Sequence, residues 1–251
     1  MSAIKLFCIP YAGASAMVYR KWEFIGHGVF EVVPVELAGR GLRAESACYN
    51  NFLEAVDDVI QSITAQDCEE YAIFGHSMGS WIAYEAYRKL QELGKKLPVK
   101  LFISGSKPPF ATEKSEPIHQ LPEHLFQTEI INMGGTPKKI FEDKALSELF
   151  LPILRSDYTI LEEYEAEACL QEEKIKCDTV LIYGSQDTVC FEEVKEWQQA
   201  FEKEPDIHCV EGGHFFVTVN ADEVIGILEK EMSREDRKHN NVLEGETLCH
   251  F

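Results

Sequence analysis

Short apolar runs and longer amphipathic stretches alternate along most of the chain. Ile4 to Ile9 is apolar at most positions and stops at Pro10, which predicts a buried strand. Phe30 to Val35, Tyr71 to Phe74, Val99 to Ser104, Thr179 to Tyr183 and Ile207 to Val210 have the same character. Between them the apolar period lengthens. Phe52, Val56, Val59, Ile60 and Ile63 share one face of a predicted helix over 51–66. Ser77 to Leu93 is helical in pattern and stopped by Gly94, and helical patterns recur over Phe191 to Phe201 and Ala221 to Met232. Strands alternating with helices predict an α/β fold, a mostly parallel sheet with helices on both faces.

One region breaks the alternation. Residues 111–170 carry no good strand, only helical patterns around 123–133 and 145–165 joined by Gly134-Gly135-Thr136-Pro137. Helices inserted between two strands of such a sheet predict a lid over a site. The domain is expected to span 1–232, and the charged and polar stretch 233–251 to fray as a tail.

Length and composition fit one soluble domain: 251 residues, 45% hydrophobic and 27% charged. The formal net charge of -19 argues against nucleic acid and anionic membrane surfaces as partners. The eight cysteines show neither metal-ligand nor CxxC spacing, and several, such as Cys8 and Cys209, sit in apolar runs. They read as reduced, buried thiols of a cytoplasmic protein. Lys5, the apolar stretch after it and Ala14-Ser15-Ala16 mimic a signal peptide. Pro10 and Gly13 interrupt that stretch, so it reads better as a first strand and loop. No window reaches transmembrane length.

Gly75-His76-Ser77-Met78-Gly79 fits G-x-S-x-G, with a predicted strand before it and a helix after it. That context marks the nucleophile elbow of α/β-hydrolases. A serine on a strained strand-to-helix turn lifts its hydroxyl clear of the backbone, and the flanking glycines let the two elements close up. The amide of Met78, at a helix N-terminus, is then placed to donate to an oxyanion.

A serine hydroxyl needs a histidine base oriented by a carboxylate, and in this fold the chain order is Ser, Asp or Glu, His. His27 precedes the serine. His76 is its neighbour, His119 and His124 fall in the insertion, His208 in a strand, and His239 and His250 in the tail. His214 remains, in Glu211-Gly212-Gly213-His214-Phe215-Phe216, where the phenylalanines can wall the imidazole from water. Asp187 lies just past the carboxyl end of the fifth strand, where sites gather in such sheets. Asp178 is at the wrong end of that strand, and Asp157 is in the insertion. The second oxyanion amide is expected after the first strand, in Pro10-Tyr11-Ala12-Gly13-Ala14, from Ala12 or alternatively Gly13. This chemistry requires no cofactor and no metal.

Further segments accompany these: Glu36-Leu37-Ala38-Gly39-Arg40-Gly41-Leu42-Arg43 and Leu151-Pro152-Ile153-Leu154-Arg155-Ser156-Asp157-Tyr158. With Pro10-Tyr11-Ala12-Gly13, the serine pentapeptide, Gly134-Gly135-Thr136-Pro137 and Gly212-Gly213-His214-Phe215-Phe216, the chain resembles the type II thioesterases of non-ribosomal peptide and polyketide synthases over about residues 4–230. The resemblance implies a stand-alone enzyme that removes acyl groups from the phosphopantetheine arm of carrier proteins. It also implies Ser77, Asp187 and His214 as the triad, carrier domains as partners, and a monomer. The chain departs from the family's pattern at Ala14 and at Ala38, where glycine and proline are usual.

Arg40 and Arg43 are local positive charge that could dock an acidic carrier or pair internally. Phe126, Ile130, Met133 and Leu149 could line an acyl chamber or form the insertion's own core. A general carboxylesterase, lipase or acyl-CoA hydrolase, an acyltransferase, or an inactive carrier-binding scaffold would share most of these features.

Overall fold

A computed structural model of the protein describes residues 4–24, 28–111, 116–166 and 173–246, with side chains to Ser233 in the last segment. Six strands form one parallel sheet: β1 (Ile4–Ile9), β2 (Phe30–Pro34), β3 (Tyr71–His76), β4 (Lys100–Ser104), β5 (Asp178–Gly184) and β6 (Asp206–Val210). Their order across the sheet is β2-β1-β3-β4-β5-β6. The chain steps outward from β1 to β2, then returns to lay β3 on the other side of β1. The loops that leave β1 and β3 therefore diverge from adjacent strand ends, the switch point where open α/β sheets bind ligands. Ile9 pairs with Gly75 at that point.

The helices are α1 (Phe52–Thr64), α2 (Met78–Glu92), α3 (Glu123–Met133), α4 (Lys139–Glu142), α5 (Lys144–Glu162), α6 (Phe191–Lys195), α7 (Phe216–Val219) and α8 (Ala221–Glu246). Both sheet faces are covered, so the inner strands are apolar on both sides. Phe7, Ile9, Ile73 and Leu101 pack under α1 and α2 with Val56, Val59 and Ile82. The alternate residues Leu6, Cys8, Phe74 and Phe102 pack against Trp22 and against Val224 and Leu228 of α8. Asn51 caps α1, its side chain accepting the Glu54 amide at 3.0 Å.

The structure departs from the sequence pattern in three places. The predicted helix at 191–201 is α6 followed by a 3-10 turn over Glu196–Ala200. Its buried side chains Val194, Trp197 and Ala200 recur every third residue, which suits the tighter turn. Helix α8 continues past Ser233 to Glu246, while 247–251 lie outside the described residues. Cys209 is exposed, because β6 is an edge strand; Cys8 is buried, and Cys190 is also exposed. Cys169 and Cys249 lie outside the described side chains, as do His27, His239 and His250. Among the described residues no helix is long and apolar enough to cross a membrane.

Candidate active site

Ser77 joins β3 to α2 at φ 54° and ψ −118°, and is the one described non-glycine residue with positive φ. The turn is held by main-chain bonds. The Ser77 amide donates to the Ser104 carbonyl at 2.8 Å, and the Ser80 amide donates to the Ser77 carbonyl at 2.9 Å. Glycine is required on either side by close approach. A Cβ on Gly75 would lie 2.1 Å from the Gly79 carbonyl oxygen, and one on Gly79 would lie 2.3 Å from that of Ile9. The second contact seats the elbow directly on the end of β1.

The loops after β5 and β6 bring the other two residues to the serine. They are tied by the Gln186 amide to the Gly212 carbonyl and by the Ser185 amide to the Val210 carbonyl, each at 2.8 Å. His214 Nε2 lies 3.0 Å from Ser77 Oγ. Its Nδ1 lies 2.9 Å from Asp187 Oδ2 and 3.1 Å from Oδ1. Burial works to raise the Asp187 pKa, but the hydrogen bond and attraction from His214 and the Val189 amide outweigh it and hold it below the usual carboxylate value. An ionised Asp187 accepts Nδ1–H, which leaves Nε2 free to take the hydroxyl proton of Ser77.

His76 has a different surrounding. It is fully buried, with Nε2 2.8 Å from the His214 carbonyl and Nδ1 2.9 Å from Ser104 Oγ. A carbonyl only accepts, so Nε2 carries the proton and the Ser104 hydroxyl donates to Nδ1. Burial, with a smaller contribution from His214, lowers the His76 pKa from 6.5 to about 3. Gly105 makes room for the ring, since a Cβ there would lie 2.5 Å from His76 Cε1. His76 thus braces the backbone of His214. A buried histidine between the elbow glycines has no sequence signal for that contact, which spans 138 positions.

Among the described residues, the other histidine and aspartate candidates lie elsewhere. His208 lies 3.2 Å from Glu231, His119 lies 2.6 Å from Glu162, His124 is exposed on α3, and Asp178 binds Lys203 at 2.6 Å. Of the two phenylalanines, Phe215 stands edge-on to the His214 ring at 5.1 Å, while Phe216 packs on His76 at 5.2 Å.

A cavity of about 540 Å³ opens over Ser77 and His214, walled by Tyr11, Ala12, Met133 and Tyr158 among others. The insertion therefore contributes to the site. Of its apolar residues, Met133 borders the cavity, Phe126 and Ile130 form the insertion's own core with Leu151 and Leu154, and Leu149 is exposed. Met78 opens α2. The Gly13 amide is engaged elsewhere, donating to Asp157 Oδ2 at 2.7 Å, so Ala12 is left as the β1-loop candidate for the oxyanion.

Neither arginine is free for docking. Arg40 is buried against Asp157 with two bonds of 2.6 Å, and Arg43 reaches Asp58 at 2.5 and 3.0 Å. Burial lowers the Arg40 pKa, yet the bonds to Asp157 more than offset this, so the net shift is upward.

A family model described as Thioesterase domain matches residues 4–232. The chain belongs to the thioesterase family. Thioesterase PikA5 of Streptomyces venezuelae is 30% identical over 218 residues, covering 86% of this chain and 76% of that one. The solved structure of ClbQ, from the colibactin NRPS/PKS pathway, superposes with a TM-score of 0.84 at 32% identity, covering 93% of this thioesterase and 98% of ClbQ. Linear gramicidin dehydrogenase LgrE of Brevibacillus parabrevis is 30% identical over 230 residues, covering 90% and 86% of the two chains. The turn after β1 in this thioesterase, Pro10-Tyr11-Ala12-Gly13-Ala14, lacks the glycine triplet of a dinucleotide site. The fold and family make the protein a hydrolase acting on thioesters.

Proposed function

We propose that the protein is a stand-alone type II thioesterase that clears acyl groups from the phosphopantetheine arm of carrier proteins in a peptide or polyketide synthase system. The observation that carries the chemistry is the unbroken chain from Ser77 Oγ through His214 to Asp187, at 3.0 and 2.9 Å. Ser77 attacks the thioester carbonyl while His214 Nε2 takes its proton. The negative oxygen is held by the amides of Met78 and Ala12. The tetrahedral adduct collapses, the carbon–sulfur bond breaks, and His214 returns the proton to the departing pantetheine thiol. Water then attacks the acyl-serine, again losing its proton to His214, and the acid and free Ser77 hydroxyl are released. The helical insertion acts as the lid, and no cofactor or metal takes part.

The carrier and pathway rest on the relatives. ClbQ, from an NRPS/PKS pathway, matches over 98% of its length, and PikA5, named as a thioesterase, over 76%. The test follows the intact mass of a carrier domain loaded with short acyl groups, with the native protein, Ser77→Ala, or no enzyme. Restoration of the free thiol by the native protein alone is the expected outcome. Survival of the acyl carrier while a simple ester is cleaved would make the protein a general esterase.

A further inference from the structure

The buried pair Arg40–Asp157 takes no part in the proton relay, and its surroundings give it a task. The side chains are 2% and 1% exposed. Removing two ions from water is costly, and a close-packed apolar pair would serve stability as well or better. What the pair grips is the loop after β1. Asp157 Oδ2 accepts the Gly13 amide at 2.7 Å, and Arg40 donates to the Ala14 carbonyl at 3.3 Å. The loop tip is thus held by one charge on each side of the Gly13–Ala14 peptide. Gly13 adopts φ +76°, and a Cβ on it would lie 2.3 Å from Leu154 Cδ2, one turn before Asp157 in α5. Helix α5 therefore rests directly on the loop. At the root, Gly79 of the elbow presses on the Ile9 and Pro10 carbonyls. Between these two fixed points lies Ala12, in the cavity wall beside Ser77.

We propose that Asp157, with Arg40 as its counterion, is a positioning residue for the oxyanion hole. It draws the Gly13 amide out of the site and fixes the peptide before it, so that the Ala12 amide is the donor presented to the carbonyl at Ser77. It also fastens the second half of α5 to that loop, so any lid movement belongs to α3, α4 and the start of α5. The inference rests on the acyl-transfer reading above, because only that chemistry develops an oxyanion there.

The test compares two variants that separate stability from positioning. The double variant Arg40→Met with Asp157→Leu removes both charges and the acceptor. With no charge left buried it is expected to melt no lower than Asp157→Asn, yet to lose about 30- to 100-fold in kcat, as befits a displaced oxyanion donor. Asp157→Asn keeps an oxygen for Gly13 but leaves Arg40 without a counterion, bonded only to neutral oxygens. It is expected to melt lower, yet to keep kcat within about five-fold. A trifluoromethyl ketone analogue of the acyl-pantetheine, which forms the oxyanion, should lose affinity in step with kcat/KM. A thioether analogue, which does not, should bind the double variant as it binds the native protein. Activity that follows melting temperature across the variants overturns the proposal, as does an equal loss for ketone and thioether. Should the double variant fail to fold, Asp157→Ala against Asp157→Asn makes the same comparison, since both leave Arg40 without its counterion. Rates are measured on a carrier-bound thioester and on a p-nitrophenyl ester. Cleavage of the ester alone sinks the carrier reading and leaves the test of Asp157 intact.

Discussion

Two histidines lie side by side at the site, and their surroundings give them opposite roles. The His214 side chain is 24% exposed and bonded to a carboxylate, whereas His76 is fully buried between a hydroxyl and a carbonyl. The unfolded chain binds a proton at His76 near pH 6.5, but the folded protein refuses it until about pH 3. The stability this group contributes is complete above pH 6.5 and falls as the pH drops toward 3, by about 1.4 kcal/mol per unit. His76→Gln keeps a donor for the His214 carbonyl and does not titrate. Denaturant unfolding between pH 7.5 and 5.0 should therefore cost the native protein about 2 kcal/mol more than the Gln variant; parallel pH profiles would show that His76 titrates normally. Ser77 stores strain of another kind. At φ 54° an ordinary residue carries about 1–3 kcal/mol that glycine does not. Ser77→Gly and Ser77→Ala both remove the hydroxyl and should be equally inactive. Calorimetry should find the Gly form melting about 2–4 °C higher, the difference being the backbone strain. Equal melting temperatures would mean that the elbow imposes none.

At the scale of elements, the insertion touches Phe215, the neighbour of His214, most closely at Gly135. A Cβ on Gly135 would lie 2.2 Å from the Phe215 ring, beside His214, whereas one on Gly134 would lie 3.6 Å away; the φ angles, +77° and +82°, are alike. Both glycines have positive φ, so both alanine variants carry a backbone penalty of about 1–3 kcal/mol, but only Gly135→Ala displaces the ring. Both should melt a few degrees lower. Steady-state kinetics should show a loss of about ten-fold in kcat/KM for Gly135→Ala and little for Gly134→Ala, because a small misplacement near the base is enough. Equal kinetics would separate Phe215 from the reaction. The same region marks how far the sequence is legible. Strands buried on both faces are continuous apolar runs, so β1, β3, β4 and β5 fall within a residue or two of their predicted ends, and the edge strands β2 and β6 do so as well. Ser77, Asp187 and His214 are legible because each sits in a loop whose place is fixed by strand order. Arg40 is not legible, since its partner lies 117 residues away and nothing in either segment names the other. The apolar residues of α3 and α5 are equally ambiguous, because helical spacing assigns Phe126 to a face but cannot say whether that face meets a cavity or Leu151 and Leu154.

For the molecule as a whole, the net charge of -19 now weighs more heavily than it does in the sequence alone. Arg40 and Arg43, the cations that the sequence offers for docking, are paired with Asp157 and Asp58. On the insertion, Lys138 faces Glu142 at 3.3 Å and Lys144 faces Glu148 at 3.7 Å, so those charges are matched locally as well. If the proposed carrier substrate is acidic, it and its anionic phosphopantetheine arm approach against the field of the enzyme. That field is long-ranged in dilute buffer and shrinks to a Debye length of about 8–10 Å at physiological salt. Screening should therefore speed the encounter, the reverse of a reaction steered by opposite charges. Raising sodium chloride from about 20 to 200 mM should increase kcat/KM on an acyl carrier protein by about three- to ten-fold. The same acyl group on free pantetheine, which carries no phosphate, should show almost no change, because no charged partner has to approach. Parallel increases on both substrates would place the salt effect inside the enzyme. A decrease confined to the carrier would mean that a basic patch on the surface governs docking despite the net charge.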